Sequence, residues 1–367
     1  MKKVLLGATL LFSVMTFAQK EELKTLKKIY AKTKPSDKDL VEYETAIKSL
    51  EGLATEEADK VYKNFYKGMF PMVKLASLGE KVTPNDQMKL VTKENLDNMI
   101  LGVNETLNYE KNTGKKVYTD DITQKLATVK PMLMQLAFQY NNEKKYKEGA
   151  NLFYNIYLLD KSDGGNLENA AILSIQAGDT KSAENYYDEL IASDFVKTGV
   201  KYYATNVATG QEELMPDKAS RMQYISLKTH EKPRDEKMID RLPEFLKMGA
   251  LVASQNGNNE KAIANFEKAR SLKPNDDKLN TEEALVYYNI AYNLIKDDAS
   301  MVDKINNTKD RTVVEGLIKD RKEIYNKALP YFEKAVQLNP EDAGMLDALK
   351  ITYEVLEMKD KLSQIEK

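Results

Sequence analysis

Ala262-Ile-Ala-Asn-Phe266-Glu-Lys-Ala269, followed by Pro274, returns near the end of the chain as Ala328-Leu-Pro-Tyr-Phe332-Glu-Lys-Ala335, followed by Pro340. Both stretches carry Ala, then Phe four positions on, Ala three further and Pro five further. Residues at i, i+4 and i+7 share one face of a helix. A small Ala on that face lets a second helix come close, and the Phe fills the seam between the two. Proline cannot continue the helix, so it marks the stop and the turn into whatever follows.

Fainter copies keep the same register upstream. Gly149, Phe153 and Ile156 fill the three positions in one segment; Ala183, Tyr187 and Leu190 fill them in the next, and Ala183 stands 34 residues after Gly149, close to the period of a two-helix repeat. A first helix precedes each: Leu133, Leu136, Ala137 and Tyr140, then Leu167, Ala170, Ala171 and Ser174. Ala250 and Ala291 hold the small position in the first helices of the later units. In these stretches the chain resembles the tetratricopeptide repeat (TPR) family. The resemblance implies an all-α fold, a TPR-type α-solenoid of helix-turn-helix repeats.

The last unit departs from the pattern. Its first helix holds Tyr287, Ile290, Ala291 and Leu294, but the second-helix Ala is delayed to Ala328. Segment 297–322 is therefore an insertion, and Val313-Val314-Glu-Gly-Leu317-Ile318 within it reads as extra helical turns. Pro330 falls inside a helix and is expected to kink it. Residues 343–358 and a short charged helix to Ile365 read as the capping element that a repeat array needs.

Elsewhere the repeat is looser. Residues 19–119 read as a degenerate repeat, with helices over 20–33, 36–52, 55–78 and 93–110; Gly68 is a small crossing residue and Pro71 is expected to bend or break the third helix. Repeat units follow over 120–195, with Gly164-Gly165 as a turn. Residues 201–215 are rich in Tyr, Thr and Val with a turn at Thr209-Gly210, which reads as an inserted β-hairpin. The stretch after it, with Pro216, Pro233 and Pro243, reads as a linker, so that 196–242 is hairpin and linker and 243–367 holds the C-terminal units. Pro243 suits the first turn of the next helix.

Composition bounds the function. Lys and Arg number 55 against 57 Asp and Glu, a net charge of −2, so no positive surface argues for nucleic acid. There is no cysteine, which removes disulfides, thiolate metal sites and thiol catalysis. The N-terminus has basic Lys2 and Lys3, an apolar run from Val4 to Val14, and small Thr16 and Ala18 ahead of polar sequence. That is the layout of a signal peptide cut after Ala18, which makes residues 1–18 a leader and the mature chain periplasmic or secreted. The run is too short for a spanning helix of ~20 residues, and no later stretch is apolar enough to cross a bilayer.

Candidate chemistry is sparse. His230 is the chain's one histidine; with no second imidazole or thiolate beside it, it reads as a surface linker residue, not a metal ligand. The acid pairs Asp120-Asp121, Glu212-Glu213, Asp276-Asp277 and Asp297-Asp298 fall in expected loops and caps, Asp120 and Asp121 capping a helix. Neither enzyme activity nor a cofactor is expected. The family resemblance implies a concave face lined by Met134 and Phe138, Glu168 and Ile172, Lys247 and Leu251, and Tyr288 and Tyr292. This mostly apolar set suits an amphipathic or extended peptide. It lacks the Lys/Asn arrangement that clamps a C-terminal carboxylate. The hairpin and C-terminal ending resemble exported TPR proteins of Gram-negative bacteria, which implies a cell-envelope scaffold with a protein or peptide partner. The alternative reading is a glycan- or nutrient-binding accessory of an outer-membrane uptake system, against which stand the missing lipid-anchor Cys and sugar-stacking Trp.

Overall fold

The computed structural model describes residues 19–83, 86, 89, 91–215 and 218–365. The expected leader, 1–18, and Pro216 lie outside them. The architecture is all-α apart from one small sheet, and the chain forms two compact units whose boundary falls between Asn166 and Leu167.

The first unit holds α1 (19–30), α2 (Asp37–Leu53), α3 (Glu57–Leu78), α4 (Lys93–Thr113), α5 (Thr119–Asn142) and α6 (Tyr146–Leu159). A capping box starts α2: the Ser36 hydroxyl accepts from the Asp39 amide while Asp39 accepts from the Ser36 amide. Lys32, 2.6 Å away, and those Ser36 donors hold the Asp39 carboxyl well below the usual carboxylate range. The core is aromatic. Phe65 stacks on Tyr118 at 4.3 Å, and the Tyr66 and Tyr118 hydroxyls bond to each other.

Two expectations for this unit are corrected. Pro71 neither ends nor breaks α3; it is buried inside the helix, where the one lost backbone bond is outweighed by packing of Phe65, Met69 and Val73. Asp120 and Asp121 do not cap α5 but sit in its first turn. Buried Glu110 instead accepts from the Tyr118 and Thr119 amides, at 2.9 and 3.0 Å.

The second unit continues with α7 (Gly164–Gln176), α8 (Thr180–Ala192), the short α9 (Asp194–Thr198), α11 (Leu242–Gln255), α12 (Asn259–Leu272), α13 (Asp277–Ile295), α14 (Asp298–Asn307), α15 (Arg311–Leu338), α16 (Ala343–Val355) and α17 (Lys359–Ile365). Gly164 and Gly165 open α7 instead of forming a free-standing turn. The repeat helices pack in chain order, across the inserted segments: α8 on α11, α11 on α12, α13 on α15, α15 on α16. Ala183, Ala250, Ala262, Ala291 and Ala328 are wholly buried in these seams. Phe266 and Ala269 are buried with Ala250 and Ala262 in one cluster, and Phe332 with Ala291 and Ala328 in the next.

One turn recurs. Lys144, Gly178, Gly257 and Glu357 all have positive φ, and the amide of the next residue reaches back to a carbonyl five earlier: Lys145 to Tyr140, Asp179 to Ser174, Asn258 to Ala253, Met358 to Tyr353. This Schellman motif ends the first helix of each pair and launches the second. It joins α5 to α6, α7 to α8, α11 to α12 and α16 to α17. The pair α13 and α15 lacks it because the insertion stands there. That insertion is α14 plus the early turns of α15, which runs unbroken through Pro330 to Leu338. Asp298 accepts from Arg321 at 2.6 and 2.8 Å and from Tyr325 at 2.9 Å, which ties α14 to α15.

Between α8 and α11 the chain leaves the stack. β1 (Val200–Asn206) pairs antiparallel with β2 (Glu212–Met215), from Tyr202 opposite Met215 to Thr205 opposite Glu212. The expected linker is not a linker: it forms α10 (Lys218–Ser226) and a third strand, β3 (His230–Lys237), on the other edge of β1. Strand β3 reads His-Glu-Lys-Pro-Arg-Asp-Glu-Lys, without apolar alternation. Its hold comes from polar groups. Buried Arg221 donates to the Arg234 carbonyl at 2.9 Å and to Asp235, and Arg234 lies over the Tyr203 ring to reach both Glu212 oxygens at 2.8 Å. Pro233 is tolerated because the strand is an edge. His230 is likewise not a surface linker residue: it is 8% exposed, with Nε2 3.1 Å from Glu213 and Nδ1 3.1 Å from the Thr229 hydroxyl.

Candidate functional site

Helices α11 and α13, with Asn259 at the start of α12, carry the residues that form a groove. Pro243 sits in the first turn of α11, and Asp276 caps α13 by accepting from the Leu279 amide at 3.1 Å. Between them lies a groove of about 360 Å³. One wall presents Leu251, Ser254 and Gln255, the other Asn289, Tyr292 and Asn293, and Val286 and Ile290 form the floor. Tyr292 is 53% exposed and Leu285, at the rim, 49%.

The sequence-predicted residues divide. Leu251 and Tyr292 are brought together. Tyr288 stacks with Tyr292 at 6.1 Å but turns its edge to Phe332 at 5.7 Å, so it supports the groove from the core side. Lys247 pairs with Glu282 of α13 at 3.1 Å and does not line the groove. Glu168 is engaged within the protein: Arg241 meets its two oxygens at 2.7 and 3.1 Å, and Lys201 stands 3.6 Å away. Ile172, on α7, is 39% exposed and outside this groove. Met134 and Phe138 belong to the first unit, where they line an open surface with Pro131 and Phe138 packs edge-on against Phe153 at 5.2 Å.

Sequence reasoning missed Ser254, Gln255, Asn289 and Asn293. The signal was the helical period: Ser254 and Gln255 lie three and four after Leu251, and Asn289 three before Tyr292, on the same faces. The carboxamides of Gln255, Asn289 and Asn293 make no side-chain hydrogen bond among the described residues. Each can donate and accept at once, which matches the alternating N–H and C=O groups of a peptide backbone. The groove therefore combines apolar residues with carboxamides contributed by both helices.

The acid pairs have other employment. Asp121 accepts from the Tyr30 hydroxyl, Glu213 from His230, and Glu212 from Arg234. Burial, and Asp121 behind it, push the Tyr30 phenol far above its usual range.

The tetratricopeptide repeat model matches residues 249–276 and 315–342. The chain carries tetratricopeptide repeats. The first matched repeat spans the end of α11 and all of α12; the second lies on α15, whose early turns belong to the insertion, so the helix it packs on is α13. No curated protein matches in sequence. Among solved structures, the chain is similar to YrrB, titled a TPR protein with an unusual peptide-binding site, at 13% identity and TM-score 0.31 over 68% of this chain and 92% of that one. It is also similar to a tetratricopeptide repeat protein from Parabacteroides merdae, at 15% identity and TM-score 0.25 over 91% and 98%. Neither likeness bears on the groove. Tetratricopeptide repeats make this chain a scaffold for protein–protein interaction, and no described helix is long and apolar enough to cross a membrane.

Proposed function

We propose that this protein is an exported, non-catalytic adaptor that holds an extended segment of a partner protein in the α11–α13 groove. The observation that carries the reading is the pairing of exposed Tyr292 and half-buried Leu251 with carboxamides that have no side-chain partner of their own. Apolar anchors give such a peptide its affinity, and the amides register its backbone. The apolar run Val4–Val14 ahead of Ala18 supports export, and the engagement of Asp121, Glu212, Glu213 and Asp298 in structural bonds supports a binding role without catalysis.

A photo-reactive amino acid in place of Tyr292, activated in intact cells, tests this. A discrete adduct with one envelope protein, absent when the probe replaces Tyr224 in the insert, is the expected result. Adducts at position 224 but none at 292 would move the partner away from the groove. Mass spectrometry of the purified chain tests export separately: the mature N-terminus should be Gln19, and a retained Met1 would refute it.

A further inference from the structure

The first unit contains a second cavity that the adaptor role does not use. It has a volume of about 750 Å³, within the range of small-molecule sites, and is built from the end of α1, the end of α3 and the start of α5. α3 stops at Gly79, whose φ of +58° lets the chain turn back so that Val82 closes one side. The walls are aliphatic: Ala31, Met72, Leu75, Ala76, Val82 and Val117.

Charge within and around it is uneven. Asp121 is the one acid in its lining, and it is already occupied: the Tyr30 hydroxyl donates to it and Lys125 stands 3.5 Å away. Against it the lining carries Lys27, Lys32 and Lys125. Lys32 is matched by Asp39 at 2.6 Å. Lys27 is exposed and has no acidic partner among the described residues, and Lys34, also exposed, lies so near the wall that a Cβ on Gly79 would stand 3.4 Å from its Cε. An aliphatic cleft with unmatched ammonium groups at its lip is complementary to one kind of molecule, an apolar chain ending in a negative charge.

We propose that this cleft binds a single-chain anionic amphiphile of the fatty-acid class. The alkyl chain lies against Met72, Leu75, Ala76 and Val82. The carboxylate faces Lys27 and Lys34, where solvent-exposed ammonium groups contribute through charge without being dehydrated.

Isothermal titration of the purified protein with dodecanoate below its micelle concentration tests the proposal, with dodecyltrimethylammonium and acetate as controls. Dodecanoate should bind saturably at one site per chain; acetate and the cationic chain should not. Val117→Glu adds a negative charge at an exposed wall position and should weaken binding. Lys27→Glu with Lys34→Glu should weaken it by about tenfold, the scale of two solvent-facing charge contacts. These exposed sites leave the fold intact, checked by circular dichroism. No dodecanoate binding, equal binding of the cationic chain, several weak sites per chain, or affinity unchanged in both variants would each overturn the proposal.

Discussion

Gly68 in α3 and Gly102 in α4 face each other's backbone: a Cβ on Gly68 would stand 2.5 Å from the Asn98 carbonyl oxygen, and one on Gly102 would overlap the Asn64 carbonyl oxygen still more. The two helices come together only because neither residue has a side chain.

Ala is favoured over Gly in a helix by roughly 0.5–1 kcal/mol, so Gly→Ala should stabilise wherever space exists. Gly316 in α15 has nothing within 4 Å of an added Cβ, and Gly316→Ala should raise stability by about that amount. Gly68→Ala and Gly102→Ala should reverse the sign and cost about 1–3 kcal/mol or more by overpacking. Urea denaturation of the three variants checks this; a stabilised Gly102→Ala would mean that α3 and α4 do not cross there.

Glu283 has no solvent exposure, and its partner Arg270 lies 3.2 Å away with 29% of its side chain exposed. Burial raises the Glu283 carboxyl above its ordinary value of 4.5, against the pull of Arg270 and Lys334. Arg270→Ala leaves the buried carboxylate unmatched and should cost about 3 kcal/mol, the low end for a broken buried pair because Arg270 is partly solvated. A raised carboxyl binds its proton more tightly in the folded state, so this group destabilises the fold as pH rises above the ordinary glutamate value. The deficit of Arg270→Ala should therefore shrink as pH falls from 7 toward 4.5, measured as the melting temperature at each pH. Glu283→Gln should remove that dependence; a deficit unchanged between the two pH values would reject the assignment.

Tyr288 and Tyr292 stack on one helix but have different roles. Tyr288 also packs on Phe332, so Tyr288→Ala should destabilise by about 2–3 kcal/mol, somewhat below the usual aromatic truncation because the ring is not fully buried. Tyr292→Ala, at a half-exposed position, should change stability by no more than about 0.5 kcal/mol yet abolish cross-linking from neighbouring groove positions. Equal melting shifts in both variants would contradict this division.

Helix α14 has no buried residue, and Asp298 is its charged tie to α15. Asp298→Ala should leave the repeats folded while speeding amide exchange across residues 298–307, because a weakly packed element opens on its own. Arg321 first, then the Tyr325 hydroxyl, lower the Asp298 carboxyl below its usual value. A depressed carboxyl stabilises above its unfolded value, so the tie is lost as pH falls through the folded one. Protection of α14, taken as exchange relative to the intrinsic rate at each pH, should fall at low pH in the parent protein and not in the variant.

The repeats in the second unit were legible because their spacing is local. Ala262, Phe266 and Ala269 need only one helix to define a face, and Ala291, Ala328 and Phe332 predict the next pairing despite the insertion. The groove was half legible: Leu251 and Tyr292 follow from the period, while Asn289 and Asn293 look like ordinary solvated positions until a facing wall exists. Glu168 looked available in sequence, since nothing there announces that Arg241, 73 residues away, takes both its oxygens.

By itself the sequence determined the helices, the small residues where helices cross, and the absence of thiol chemistry, all properties of one strand of chain and its 3.6-residue period. Tertiary structure decided the rest. Strand β3 exists because Arg221 and Arg234 find acids and carbonyls on other segments, and Gly102 matters because the Asn64 backbone of α3 lies opposite. Neither can be read from a single segment, since the energy of a close approach or a charge pair belongs to two segments at once.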